Sequence, residues 1–446
     1  MIKRFISLVI ASVMLLVIVF QGWGDSIKNV QINSTAKAQQ KVNLSLWIEN
    51  ITPERNSFFE ELVKNFEKEN PNIHVDYLGI PGTANDAKMK LDIAFAAGEG
   101  PDIHDNFIAE YVARGYCENL TPYFGKWKDK SKIIKAALDA NRVVDTKKHN
   151  LYALPEYANI FFMWMRSDWF KDAHLPLPEN WDRFFDDVKK LTDKSKGIYG
   201  LSIRGGGGGA QNLLYMMHSY SGITQSFTKD GKSTINDPKH IEFVEKFLGL
   251  YKEYTPEDDL TKGWTELAAT FQSGKAAVIY HNLGSGPANE QAFKGDYSKF
   301  QAVQYPKGVK GYRTHPNLMP CGFVMNKNSK HKKEAWQLMT YLVSAENNAK
   351  LAKIYGALPV NTDSNRFDYN QGKQYVKSAM GLLNDPNTHW ADEPSWLPNY
   401  RTILSNTAEP LMQQTMVKQI TAKQFLDQWA NEMTKAKAKF DGENKK

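Results

Sequence analysis

The chain has 446 residues, 42% hydrophobic and 24% charged, with a mean hydropathy of −0.51. This composition excludes a disordered chain and a polytopic membrane protein, and the length points to more than one lobe. The formal net charge of +7 is spread over short runs such as Lys330-His331-Lys332-Lys333, so solvated helix faces are expected and no nucleic-acid partner.

Residues 1–38 have the layout of an export signal. Lys3 and Arg4 precede the uncharged run Phe5–Phe20, and Ala36-Lys37-Ala38 offers a cleavage site. Cleavage and retention as a membrane anchor both remain open. No cysteine precedes Cys117, so export without lipidation is expected. With residues 1–38 removed, the net charge falls to +4.

Val42, Leu44, Leu46 and Ile48 alternate at strand period. Thr52-Pro53-Glu54 then opens a helix whose apolar positions are Phe58, Phe59, Leu62, Val63 and Phe66, and Asn70-Pro71 stops it. Ile73, Val75 and Tyr77 alternate again, and this β-α-β start predicts an α/β fold with a parallel sheet. A second helix ends at Gly98, and Gly100-Pro101-Asp102-Ile103 turns into a short strand. Phe161, Met163 and Met165 alternate as a strand. Asn180 caps a helical stripe of Trp181, Phe184, Phe185, Val188 and Leu191. Lys275–Tyr280 reads as a strand. Ala335, Leu338, Met339 and Leu342 form another helical stripe. Thr421 and Gln424 fit a capping box before Phe425, Trp429 and Met433.

No HExxH, HxxxH or GxSxG is present, and Gly205–Gly209 is not followed by the Lys-Ser/Thr of a phosphate loop. No metal or cofactor is expected. The five glycines predict a mobile or tightly turned loop, or one that lets backbone approach a ligand. Two cysteines, Cys117 and Cys321, are too few for a disulfide framework; both are expected to be unpaired and buried, with a single bridge, which the oxidising setting of an exported chain permits, as the alternative.

Several stretches share their order and spacing with one family: VNLSLWIEN, FEKENPNIHVDY, KLDIAFAAGEGPDIHD, GYCENLTPYF, LYALPEYANIFFMWMRSDWF, PENWDRFFDDVKKLT, TELAATFQSGKAAVIY and GFVMNKNSKHKKEAWQLMTYLVSAENNAKLAKIYGALPVN. Over most of residues 41–361 the chain resembles the extracellular solute-binding proteins of carbohydrate ABC importers, the group that includes maltose-binding protein. It departs from that pattern in lacking a lipobox cysteine, in reading WMRSDWF from Trp164, and in placing His281-Asn282-Leu283-Gly284 after VIY.

The resemblance implies two α/β lobes joined by hinge strands. Crossings are expected near Leu120–Phe124, Phe300–Pro306 and Val343–Asn347. Lobe one then comprises 41–121 plus 300–343, and lobe two 122–299 plus 344–446. It also implies a monomeric, exported receptor that is not an enzyme, binds a sugar, in expectation an oligosaccharide, and delivers it to a membrane permease.

A sugar offers hydroxyls at its rim and a C–H face to aromatic planes. Ligands of open α/β sheets sit beyond the carboxyl ends of strands, which selects Glu49, Asn50, Asp105 and Asn106. After Leu154-Pro155 come Glu156, Tyr157, Asn159 and Phe161. The resemblance adds Asn159, His281 and Asn282 as cleft positions and Gly322 as a point of close backbone approach. Arg204 lies beside the glycine run. Trp264, Trp390 and Trp396 fall outside helical stripes and are candidate platforms, whereas Trp181, Trp336 and Trp429 are expected in the core. A secreted glycoside hydrolase is the alternative, since Glu49, Asp105 and Glu156 could supply a carboxylate pair.

Overall fold

The computed structural model describes residues 41–444, apart from 83, 107, 368–371 and 386; the export-signal reading lies outside these residues. The chain builds twelve strands among the described residues: β1 (Val42–Ile48), β2 (Ile73–Gly79), β3 (Ile103–Asp105), β4 (Ala153–Leu154), β5 (Tyr157–Ala158), β6 (Phe161–Met165), β7 (Val278–Asn282), β8 (Gln301–Val303), β9 (Thr314–Pro316), β10 (Phe323–Met325), β11 (Leu358–Pro359) and β12 (His389–Ala391). The first sheet has the order β2-β1-β3-β10-β4 and the second β7-β6-β8; β11 pairs with β5, and β12 with β9.

The opening β-α-β unit forms as its pattern dictates. Thr52 caps the helix Pro53–Glu69, its hydroxyl accepting from the Arg55 amide at 3.3 Å, and that helix buries Phe58, Phe59, Leu62, Val63 and Phe66. β1 runs parallel to β2 and β3. The sheet is nonetheless mixed, because β10 lies antiparallel between β3 and β4. β1, β2, β3 and β4 therefore share one direction, and their carboxyl ends lie along one edge.

β6 departs from the alternation read in its sequence: all five residues are buried. β7 and β8 flank it, and each face meets a core. Phe162 and Trp164 join the core that also holds the helix Pro53–Glu69, whereas Phe161, Met163 and Met165 join the core around Trp181 and Trp429. A strand covered on both faces has no polar side to show. β7 also starts later than read, at Val278.

The capping predictions hold. Asn180 accepts from the Arg183 amide at 2.9 Å, and Thr421 and Gln424 exchange hydrogen bonds ahead of the helix Ala422–Asn444. The glycine run is a tightly packed turn. The amides of Gly205 and Gly206 donate to the carbonyls of Asp259 and Lys262 at 2.9 Å each, and a Cβ on Gly205 would lie 2.4 Å from the Asp259 oxygen. Trp181 and Trp429 are buried, and Trp336 is half-buried against the core.

The expected crossing near Leu120–Phe124 is corrected by the pairing. The Leu120 amide donates to the Leu151 carbonyl at 2.7 Å and the Leu151 amide to the Thr121 hydroxyl at 2.9 Å, so the segment folds back and delivers β4 to the first sheet. The chain passes from the first sheet to the second across Pro155–Ile160, between β4 and β6.

Cys117 and Cys321 are unpaired. Cys117 packs among Phe95, Ile108 and Tyr111, and the Cys321 thiol donates to the Tyr157 carbonyl at 2.9 Å. Burial pushes both thiols up, away from the reactive thiolate. Thiol titration of the unfolded, unreduced protein is expected to find both; fewer than two per chain would contradict this. Among the described residues no helix is long and apolar enough to cross a membrane, and no group of acidic, His or Cys side chains is arranged to hold a metal ion.

Candidate functional site

Parallel strands present their last residues together, so the carboxyl edge of the first sheet collects side chains distant in sequence. Register places Phe323 of β10 opposite both Asp105 and Leu154, which brings Asp105 beside the link that carries Glu156. Glu49 follows β1. Its amide donates to the Asp105 carboxylate at 2.9 Å, and its own carboxylate accepts from Asn106 Nδ2 at 2.7 Å. Asn50 and Asn106 both adopt left-handed backbone, with φ of 53° and 60°, a conformation Asn tolerates and most side chains resist. Gly322, at φ 149°, lies so close to β4 that a Cβ would sit 2.2 Å from the Leu154 oxygen; its carbonyl accepts from the Asn106 amide at 3.1 Å. It positions the loop by backbone approach.

Three carboxyl groups thus meet in a buried place, with Asp105 at 2% and Glu156 at 1% exposure. Burial raises all three pKa values. The charges of Glu49 and Glu156 add to the rise at Asp105, and Glu156, pressed by burial and then by Glu49, is pushed up to about 8. Arg401 and Arg55 oppose the rise at Glu49. The Arg55 guanidinium lies 4.1 Å from the Tyr355 ring centre, and Tyr355 stacks on Tyr157 at 4.9 Å. Glu49 Oε2, both Glu156 oxygens and the hydroxyls of Tyr77 and Tyr355 are buried with no hydrogen-bond partner within the protein.

A second group lies along β6 and β7. Phe161 stacks on Tyr280 at 5.4 Å and meets Trp264 edge-on at 6.3 Å. The Arg204 guanidinium sits 5.1 Å from the Trp264 ring centre; burial brings its pKa down to about 10, against Glu409 and Glu266, and its Nε lacks a partner. Asn159 Oδ1, on the link between the groups, is likewise buried and unpartnered. Arg401 joins the two groups electrostatically, because its charge acts on both Glu49 and Glu393, and Glu393 accepts from Tyr215, whose ring lies 5.2 Å from Phe161.

Other expected site residues have internal tasks. His281 uses both ring nitrogens, Nε2 toward the Trp264 carbonyl at 3.2 Å and Nδ1 toward the Ser285 hydroxyl; burial, then the Arg204 charge, brings its pKa down to about 3, so the ring is neutral. The Asn282 side chain accepts from the Gly284 amide at 2.9 Å and caps a turn. Trp396 is no open platform: it packs on Phe227 at 5.9 Å and on Phe440 of the last helix at 5.1 Å. Trp390 stands half-buried in β12, opposite His315 in register. Arg55, Tyr77, Tyr355 and Arg401 were not anticipated. Tyr77 alone carried a signal, as the last apolar position of the β2 alternation.

Cavities of about 470 Å³, near Trp127 and Tyr341, and about 540 Å³, near Val376 and Met380, lie elsewhere. In the first, Lys132 pairs with Asp363 and Gln337 with Asn70, and the second is mostly apolar, so neither carries the buried unpartnered groups gathered at the sheet edge.

The family model for bacterial extracellular solute-binding proteins matches residues 51–349. A Brucella abortus protein named as a binding protein is 27% identical over 336 residues, 74% of this chain and 78% of that one. The multiple sugar-binding protein of Streptococcus mutans serotype c is 24% identical over 361 residues, 76% of this chain and 80% of that one. An ABC-transporter solute-binding protein of Thermotoga lettingae, solved with α-D-tagatose, has the same fold, with a TM-score of 0.74 at 20% identity over 89% of this chain and 100% of that one. With more than half of its length matched by that model, the chain belongs to the bacterial extracellular solute-binding protein family.

Proposed function

We propose that the protein is the sugar receptor of an ABC importer, that it binds an oligosaccharide without chemical change, and that it presents the ligand to a membrane permease. The observation that carries this reading is the set of buried polar atoms without protein partners: Glu49 Oε2, both Glu156 oxygens, Asn159 Oδ1 and the hydroxyls of Tyr77 and Tyr355. Such atoms are costly to bury alone, and a ligand rich in hydroxyls supplies their partners. Trp264, half-buried beside β6 and β7, offers an indole for a sugar's C–H surface, and Phe161 backs it from the core. The names of relatives, a multiple sugar-binding protein and a tagatose-bound receptor, support the same class.

The receptor acts as an exported monomer whose residues 1–38 direct export. Its mechanism is closure of two lobes, one on each sheet, about the Pro155–Ile160 link and the return segment between β8 and β10. Ligand contacts from both lobes favour the closed state by their differential affinity. A thermal-shift screen of mono- and oligosaccharides tests the function. A true ligand at about 100 times its Kd adds about 2.7 kcal/mol of stability, and small-angle scattering then shows a smaller radius of gyration. The reading fails if no sugar shifts the melt, or if a bound sugar leaves the radius unchanged.

The raised Glu156 carboxyl beside Glu49 and Asp105 also resembles the acid and base of a glycoside hydrolase. Incubation with oligosaccharides is expected to yield no new reducing ends; their appearance would favour the hydrolase.

A further inference from the structure

The floor formed by Glu49, Asp105 and Glu156 is unbalanced. Facing these three carboxyls are two guanidinium groups, Arg55 and Arg401, the second of which also acts on Glu393; the His104 ring, whose Nδ1 lies 3.2 Å from the Asp105 carbonyl, is kept neutral by burial, and the remaining titratable neighbours are acids: Tyr77, Tyr157, Tyr355 and Cys321, with Glu60 beyond Tyr77. Three negative charges against two positive ones, one of them shared with Glu393, leave a surplus of at least one in a place nearly closed to water. A buried charge without a partner is the costliest arrangement available to the chain, and binding a proton removes it. The three carboxyls differ in what holds their charge. Asp105 accepts the Glu49 amide, Glu49 accepts Asn106, and Glu156 accepts nothing through its side chain. The Asn348 side chain reaches only the Glu156 backbone carbonyl. The proton therefore belongs on Glu156, where it neutralises the charge that is least supported by hydrogen bonds.

We propose that Glu156 meets the ligand as a neutral carboxylic acid, holding the proton that balances the Glu49–Asp105–Glu156 floor against Arg55 and Arg401. A neutral carboxyl donates through its O–H and accepts through its carbonyl oxygen, as a sugar hydroxyl also does. It makes Glu156 a determinant of specificity for uncharged, hydroxyl-bearing ligands. That consequence rests on the sugar-receptor reading, but the protonation does not.

The experiment uses the full-length, ligand-free protein. Infrared spectra at pH 7 are expected to show a protonated-carboxyl C=O band that shifts when glutamate is supplied with a ¹³C carboxyl and fades as pH rises through about 8. Glu156→Gln is expected to remove the band. The unfolding temperature gives an independent readout. A carboxyl whose folded pKa lies above its unfolded value contributes stability that is full below about 4.5 and is lost as pH rises through about 8. The parent should thus lose stability relative to Glu156→Gln as pH rises from about 4.5 to about 8, and the difference should level off above pH 8. Absence of the band at pH 7, or a band insensitive to glutamate labelling, overturns the proposal. Either result leaves the sugar screen untouched, and a failed screen leaves the infrared result standing.

Discussion

Trp181→Ala is expected to lower stability by about 3–5 kcal/mol, the range for truncating a large aromatic in a closed core. The indole is 2% exposed. Its ring meets Phe184 at 5.1 Å and Phe243 at 4.9 Å, both edge-on, and its N–H donates to the Ser219 hydroxyl at 3.2 Å. Truncation therefore removes packing on two sides and leaves Ser219 without its donor. The helix Trp181–Lys190 keeps its Asn180 cap, so the loss arises from packing and not from helix propensity. Urea unfolding monitored by circular dichroism measures the effect. Because the ring and N–H contacts of Trp181 go to Phe184, Phe185, Phe243 and Ser219 and to none of the unpartnered polar groups of the site, affinity for a sugar that binds the parent should stay within a few-fold at temperatures where the variant is folded. A stability change below about 1 kcal/mol would mean that the Trp181 core does not pack as described.

The same residue shows why some of this molecule was legible in sequence. Trp181, Phe184, Phe185 and Val188 repeat at the period of their own helix, and Asn180 caps it through a contact three residues away. Local chemistry decides such features, so local reading finds them. β6 was read as an alternating strand, and its burial on both faces was not legible because its second cover comes from residues far along the chain. The crossing was placed too early because β4 and β5 are two residues each, too short to display a period. Trp396 looked exposed because Phe440, which covers it, lies at the far end of the chain.

At the site, the strand-end rule located Glu49, Asp105 and Asn106, since the carboxyl edge of a sheet follows from strand direction alone. It could not locate Arg55, Tyr355 or Arg401. Each reaches the site from a helix whose placement depends on tertiary packing. It also could not foresee that His281 and Asn282 spend their polar atoms on the protein itself.

Glu49→Ala and Trp264→Ala should each weaken binding of a sugar that binds the parent, whereas Trp396→Ala should not. Glu49 stands at the end of β1 in the first sheet, with Oε2 buried and unpartnered. Trp264 stands beside β6 and β7, with its ring against Phe161 and His281. If closure between the two sheets binds the sugar, both sides contribute contacts that exist only in the closed state. Loss of a buried hydrogen-bond partner at Glu49 costs about 1–3 kcal/mol, roughly 5- to 150-fold in Kd. Loss of the indole face at Trp264 costs about the same through apolar area removed from contact. Trp396 contacts Phe227 and Phe440, so its truncation should loosen the last helix and lower the melting temperature while leaving Kd within about threefold. Isothermal titration of the three variants, with melts run in parallel, reads all of these effects. Full affinity in both Glu49→Ala and Trp264→Ala would remove the site from this sheet edge. A loss confined to Trp396→Ala would move it to the irregular stretch around residues 389–398, where the sequence first suggested an aromatic platform.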